Sequence, residues 1–174
     1  MLGSSHLAAA LFSRIEEEAT LTLRLMERVP AEASEWRPDW PSVERPPFTV
    51  RKLCAHLCDS LSGFCAVLVK LEPEPPPAAA SLRLRVEAAS AGTIGDSMAL
   101  LTDLLVFLRE RFQNIPDSDL TRTLPSVFTA AGKPAMTMLL TNLVHFTNHK
   151  YQLFTYLKVL DVPVSTQDLY RFDT

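Results

Sequence analysis

Apolar residues recur at three- and four-residue steps in four long stretches of the chain, the spacing that gathers them on one face of an α-helix. In the first stretch, residues 5–29, Leu7, Leu11, Ile15, Thr22, Leu25 and Val29 fall near one stripe, and Glu16, Glu17, Arg24 and Glu27 are left for solvent. Pro30 ends it, because proline has no amide hydrogen and clashes with the preceding turn. The second, 49–71, carries Val50, Leu53, Leu57, Leu61, Phe64 and Leu68, with Thr49 as its N-cap and the run Pro73 to Pro77 as its stop. The third, 93–114, repeats the pattern with Ile94, Met98, Leu101, Leu105, Leu108 and Phe112. The fourth and longest, 134–160, has Pro134 in its first turn and Leu139, Leu143, Phe146, Leu153, Leu157 and Leu160 as its stripe.

The segments between these stretches cannot be helix interior. Residues 30–48 hold Pro30, Pro38, Pro41, Pro46 and Pro47. Residues 72–80 read as a stiff Pro/Ala linker, with a short helical piece from Leu82 to Ala89. Residues 115–133 read as a small irregular hairpin: Thr121 to Thr129 has β-propensity, and Gly132 marks a turn. Trp36 and Trp40 are placed at the bundle end, and Phe146, Phe154 and Tyr156 in the core. The pattern predicts one all-α domain over 1–174, a four-helix bundle. Its connections are too long for periodicity to fix the order of the helices in space.

Composition narrows the function classes. The chain has 174 residues, 47% hydrophobic and 21% charged, with a net charge of −3, so it has no broad basic field for nucleic acid. Charged and hydroxyl residues interrupt the apolar runs, so no membrane span is expected. Met1 to His6 lack the pattern of a signal peptide, and His6 is expected to be exposed. Cys54, Cys58 and Cys65 are odd in number and lie within one helical stretch, where neighbours four apart make poor disulfides. They read as free buried thiols in a reducing, cytoplasmic setting. The chain has no Gly-rich phosphate loop, no G-x-S-x-G elbow and no C-x-x-C pair.

The chemistry that remains is in the histidines. His145 and His149 are four apart in the fourth helix, which stacks both imidazoles on one face, the spacing at which one helix gives two ligands to a metal ion. No glutamate of an H-E-x-x-H motif accompanies them. Asn142, His145, His149 and Gln152 form a polar stripe, the lining of a cleft or a solvent face, whereas Lys150 and Lys158 point elsewhere and are expected in solvent. His56 lies in the second helix beside Asp59 and Ser60; Cys54 and Cys58 face away from it. One histidine from the second helix and two from the fourth make the count of a catalytic-type site with an open position. Asp59 and Gln152 are candidates to orient the ligands.

These residues carry a resemblance. Trp36-Arg37-Pro38 after the first helix, the histidine inside LCAHLCDSLSGF, and the stretch NLVHFTNHKYQLFTYLKVLDVPVSTQDLYRF are similar to the DinB/YfiT-like helical-bundle metalloenzymes. The family's last helix reads H-x-x-x-H-R-G-Q-L. His145, His149, Lys150, Gln152 and Leu153 occupy those places, and Asp161-Val162-Pro163 matches the stop that follows. Tyr151 stands where the family has glycine, and Asn148 where it often has a further histidine. The resemblance implies an up-down-down-up bundle, a homodimer, and a divalent metal, zinc or nickel, on His56, His145 and His149.

Relatives with thiol-dependent S-transferase or isomerase activity imply a small-molecule substrate and a low-molecular-weight thiol. Two functions follow as expectations. One is a metal-dependent enzyme, S-transferase-like or hydrolase-like, acting on a small electrophile. The other is a non-catalytic dimeric bundle whose metal is structural or vestigial.

Overall fold

The computed structural model describes residues 6–40, 46–126 and 129–170. Among the described residues five α-helices carry the fold: α1 (His6–Glu27), α2 (Val50–Val69), α3 (Pro77–Ala89), α4 (Ile94–Asn114) and α5 (Ala135–Val159). A two-stranded antiparallel sheet, β1 (Thr123–Ser126) and β2 (Thr129–Pro134), precedes α5. α1, α2, α4 and α5 correspond to the four expected helices, with ends shifted by a few residues; residue 5, the expected start of the first, lies outside the described residues, as does Pro41. The protein is mostly helical, and the short helical piece expected from Leu82 to Ala89 is the second half of α3, which starts at Pro77. Its outward face is nearly all exposed, with Ala89 alone fully buried, so its apolar signal is too weak to read as a long helix. Pro77 sits in its first turn, where a missing amide hydrogen costs nothing, and the proline run that reads as a linker starts a helix instead.

Local chemistry fixes the helix ends. Thr49 accepts from the Lys52 amide as the N-cap of α2. Thr93 and Asp96 form a reciprocal capping box at the start of α4. Asp117, distant in sequence, places its two carboxylate oxygens 3.2 and 3.1 Å from the Leu7 and Ala8 amides, where anions are favoured at a helix start. Leu7 itself is 58% exposed and does not join the stripe expected of it; at this first turn Ala8 faces inward instead.

The core lies between α2 and its neighbours. α2 packs against α5, α4 and α3, and α1 against α4 and α5. Val50, Leu53, Leu57, Leu61, Phe64 and Leu68 are all buried, as their spacing predicts. α2 is long and apolar enough to cross a membrane by length and composition, with mean hydropathy 1.4, but 61% of that window is buried inside the protein. Cys54, Cys58 and Cys65 are free and buried, and burial pushes each thiol up to about 12.

The hairpin corrects one reading of the sequence. Gly132 does not make the turn; it lies in β2 with φ +73°, beside Lys133, the partner of Leu124. A Cβ there would sit 2.6 Å from the Leu124 carbonyl oxygen, so only glycine fits. The pairing shifts register between Leu124 and Ser126, as a bulge requires, and the connecting residues 127–128 lie outside the described set.

Lys150 is the second correction. It is fully buried, and its ammonium lies 2.6 Å from Glu18 Oε2 and donates to the Leu169 carbonyl at 2.8 Å. Glu18, 1% exposed, is also held by Arg14. Glu18 ends the run Glu16-Glu17-Glu18 in α1, and nothing in that run says which glutamate turns inward to meet a lysine, so the pair is invisible in periodicity. Losing one partner leaves a buried charge uncompensated. Lys150→Met is therefore expected to cost about 3 kcal/mol of stability, and Glu18→Leu/Lys150→Met together much less than the sum of the two single changes. Urea unfolding of the four variants of this cycle checks it.

Candidate metal centre

α2 and α5 pack against each other, and the Asn142 side chain of α5 lies against Gly63 of α2. A Cβ on Gly63 would lie 3.0 Å from Asn142 Nδ2, so the glycine leaves room for that amide between the helices. Seven residues before Gly63 is His56, and seven after Asn142 is His149; seven residues are two turns, about 10 Å. In an antiparallel pair those positions face each other. His56 Nε2 and His149 Nε2 are 3.1 Å apart.

His145, one turn before His149 on the same face, completes the group. Its ring centroid is 4.6 Å from that of His149 and 5.3 Å from that of His56. One nitrogen from each of the three rings lies within 4.8 Å of the others. All three histidines singled out in the sequence are brought together, and His145 is exposed while the other two are half-buried.

The outer nitrogens of two rings are already engaged. His56 Nδ1 faces Asp59 Oδ2 at 3.5 Å, and His149 Nδ1 is 2.9 Å from Gln152 Oε1. Gln152 Nε2 in turn donates to the Tyr156 hydroxyl at 3.0 Å. Each of these oxygens can accept from an Nδ1–H, the tautomer that leaves a ring's Nε2 lone pair free for a cation. The 3.1 Å between the two Nε2 atoms suits either a hydrogen bond from one ring to the other or two ligands of one ion. Two nitrogens ~2.0–2.1 Å from one zinc ion at a tetrahedral angle are about 3.3 Å apart, close to what is found. The donor set fits a divalent metal.

The surroundings are mixed. Phe48 stacks on His56 at 5.0 Å between centroids and meets His149 edge-on at 6.1 Å. Beside His56 is a hollow of about 250 Å³ bounded by Phe48, Lys52, Ala55, Asp59, Val86 and Ser90. A second hollow of about 440 Å³ shares Asp59 and Val86 with it and runs on between α2 and α3. Ser60, a polar neighbour of His56, bonds back to the His56 carbonyl and takes no part. Phe48, Gly63 and Tyr156 belong to the site, and the sequence reading passes over the first two and places the third in the core. A glycine two turns from His56 on the same helix face is the signal that could have been read.

Electrostatics favour neutral imidazoles. Burial, then the neighbouring His56, lowers the His145 pKa; burial lowers that of His149 against the raising effect of Gln152. The hydrogen bond from His56 holds the Asp59 carboxyl below its usual range.

The DinB superfamily model matches residues 14–153. The chain belongs to the DinB superfamily. Among solved structures, the DinB-like protein YjoA of Bacillus subtilis superposes with a TM-score of 0.63 at 15% identity, over 89% of this chain and 96% of that one. That likeness is one of fold. No curated protein matches the sequence significantly. Superfamily membership and the three-histidine group are together compatible with metal binding.

A histidine whose pKa is lower folded than unfolded binds fewer protons in the native state, so its neutral form favours the fold. The stabilisation is complete above the unfolded value, ~6.5, and is lost as pH falls through it towards the lowered folded value. The metal-free chain is therefore expected to lose thermal stability on acidification through that window, and His145→Asn/His149→Asn to flatten the dependence. Melting curves across the range check this.

Proposed function

We propose that the chain is a metal-dependent enzyme whose divalent ion, zinc or nickel, is held by His56, His145 and His149. The observation that carries the reading is the pair of facing Nε2 atoms 3.1 Å apart, both with their Nδ1 partners already in place. When bound, the metal supplies Lewis acidity that makes a water or a thiol a nucleophile near neutral pH. The protein's own groups do the rest. Asp59 and Gln152 hold two rings in the right tautomer. Phe48 covers one side of the imidazoles, and the hollow beside His56 is the place for a small electrophile. Asp59, exposed and kept ionised, is within reach of that hollow as a proton acceptor.

Hydrolysis and thiol transfer both fit this geometry; resemblance to thiol-dependent relatives favours transfer with a low-molecular-weight thiol. One domain over 1–174, an up-down-down-up order for the four main helices and a homodimer belong to the same reading. Leu140 and Val144, exposed on α5, support the dimer. No nucleic acid or membrane partner is part of it, and a cytoplasmic setting suits its three free thiols.

The alternative is a non-catalytic dimeric bundle with a structural or vestigial metal. A structural site is closed, whereas His145 here is open to solvent, which favours the enzyme. Elemental analysis and calorimetric titration decide between them. The enzyme reading expects one zinc or nickel ion per chain, lost in His145→Ala with little change in the stability of the metal-free protein. Unfolding on removal of the metal by a chelator would favour the structural role, and a chain that binds no metal would contradict both.

A further inference from the structure

The hollow between α2 and α3 is larger than the one beside His56, about 440 Å³ against about 250 Å³. α3 lines it with Ala79, Leu82 and Val86, whose three- and four-residue steps make one stripe facing α2. α2 adds Ala66 and Val69, and the fully buried Leu104 of α4 closes it from below. Leu82 and Val86 are the large apolar residues that α3 turns towards the bundle, yet both stay half-exposed. Native interiors are close-packed, so an inward stripe left half-covered has room for something more.

The polar groups of this hollow are either at its edge or already engaged. Asp59, Lys70, Arg83 and Glu87 are exposed, and Arg83 and Glu87 pair with each other at 3.1 Å. The Ser62 hydroxyl donates to the Asp59 carbonyl at 2.7 Å. Cys65 is buried and keeps its proton, so it acts as an apolar wall. Asp59 and Val86, on facing helices, belong to both hollows and form the neck between them. His56 is three residues before Asp59, at one side of that neck. On the other side the larger hollow follows α2 to Lys70, eleven residues or about 16 Å beyond Asp59.

We propose that the hollow between α2 and α3 binds the neutral, apolar tail of the small molecule whose reactive end lies at His56. The substrate class is then an elongated amphiphile, with its polar end among Lys52, Asp59 and Ser90 and its hydrocarbon part against Val69, Leu82 and Val86. Mostly apolar hollows of about 300–1,000 Å³ with a few polar groups at one end are the usual form of a small-molecule site. The place of the reactive end rests on the metal-centre reading; the affinity of the larger hollow for a hydrocarbon chain does not.

Two probes test this with the full-length protein. The n-alkanols from butanol to octanol, titrated into the metal-free chain by NMR, test the hollow alone. Affinity is expected to rise about twofold or more with each added methylene, since complete burial of one would give about fourfold. Ala66→Phe puts a ring into the space from an exposed position and is expected to weaken octanol binding about tenfold or more. Val86→Thr keeps the side-chain shape, sets a hydroxyl at the neck, and is expected to act in the same direction. Affinity independent of chain length, or lowered by neither variant, would overturn the proposal. So would a dimer that Ala66→Phe converts to monomer, because the hollow would then belong to a second copy of the chain. n-Octanoate bound to the cobalt(II)-loaded chain tests the connection. Paramagnetic relaxation is expected to be strongest at the methylene beside the carboxylate and weakest at the terminal methyl; a uniform or reversed gradient would overturn the proposal. If the alkanol pattern holds and the chain binds no cobalt, the apolar site stands and the three-histidine reading fails.

Discussion

The close approach of α2 to α5 is the constraint on which the site depends. Asn142 lies against Gly63, in the same register of the two helices as the histidine pair. Two turns away, the same register presents His56 to His149 across 3.1 Å. A Cβ at position 63 would press on the Asn142 amide, which must shift by a few tenths of an ångström to make room. α5 is held from a second side as well. Lys150 follows His149 but points about 100° away around the helix, into the buried pair with Glu18 of α1. The rotation of α5 about its axis is therefore fixed by apolar packing, by a glycine contact and by an ion pair, and the direction of His149 follows from all three.

The electrostatic arrangement is asymmetric in a way that matters for chemistry. Two ligands have their outer nitrogens engaged, by a carboxylate on α2 and by an amide on α5, while the third, His145, is exposed. The better-ordered pair lies nearer the core and the looser ligand nearer solvent. A metal held there would be open on the His145 side, and the other two rings are already oriented by their neighbours. The hollows between α2 and α3 add an apolar wall at Val86 and Ala55 next to polar groups at Asp59 and Ser90, which suits a small molecule with both characters.

Much of this was legible in the sequence, for reasons that can be stated. The four main helices are long and strongly periodic, and the stripe from Val50 to Leu68 is buried as spacing alone requires. The stacking of His145 and His149 is simple helix geometry. His56 was placed with them through resemblance, because nothing in periodicity says which residues of two different helices face each other. What the sequence hides depends on such cross-helix matches: Lys150 with Glu18, Gly63 with Asn142, Gly132 with Leu124. α3 is legible only in its second half, Leu82 to Ala89, because a helix that buries one residue has almost no amphipathic signal. Tyr156 reads as core and is core, and the contact of its hydroxyl with Gln152 is visible only in the structure.

X-ray absorption at the metal edge of the zinc-loaded chain measures the central claim most directly, since it counts the nitrogens around the ion. Three imidazole nitrogens at ~2.0–2.1 Å are expected, with two remaining in His56→Ala. A shell of oxygens alone, or a His56→Ala spectrum identical to that of the unaltered chain, would contradict the account.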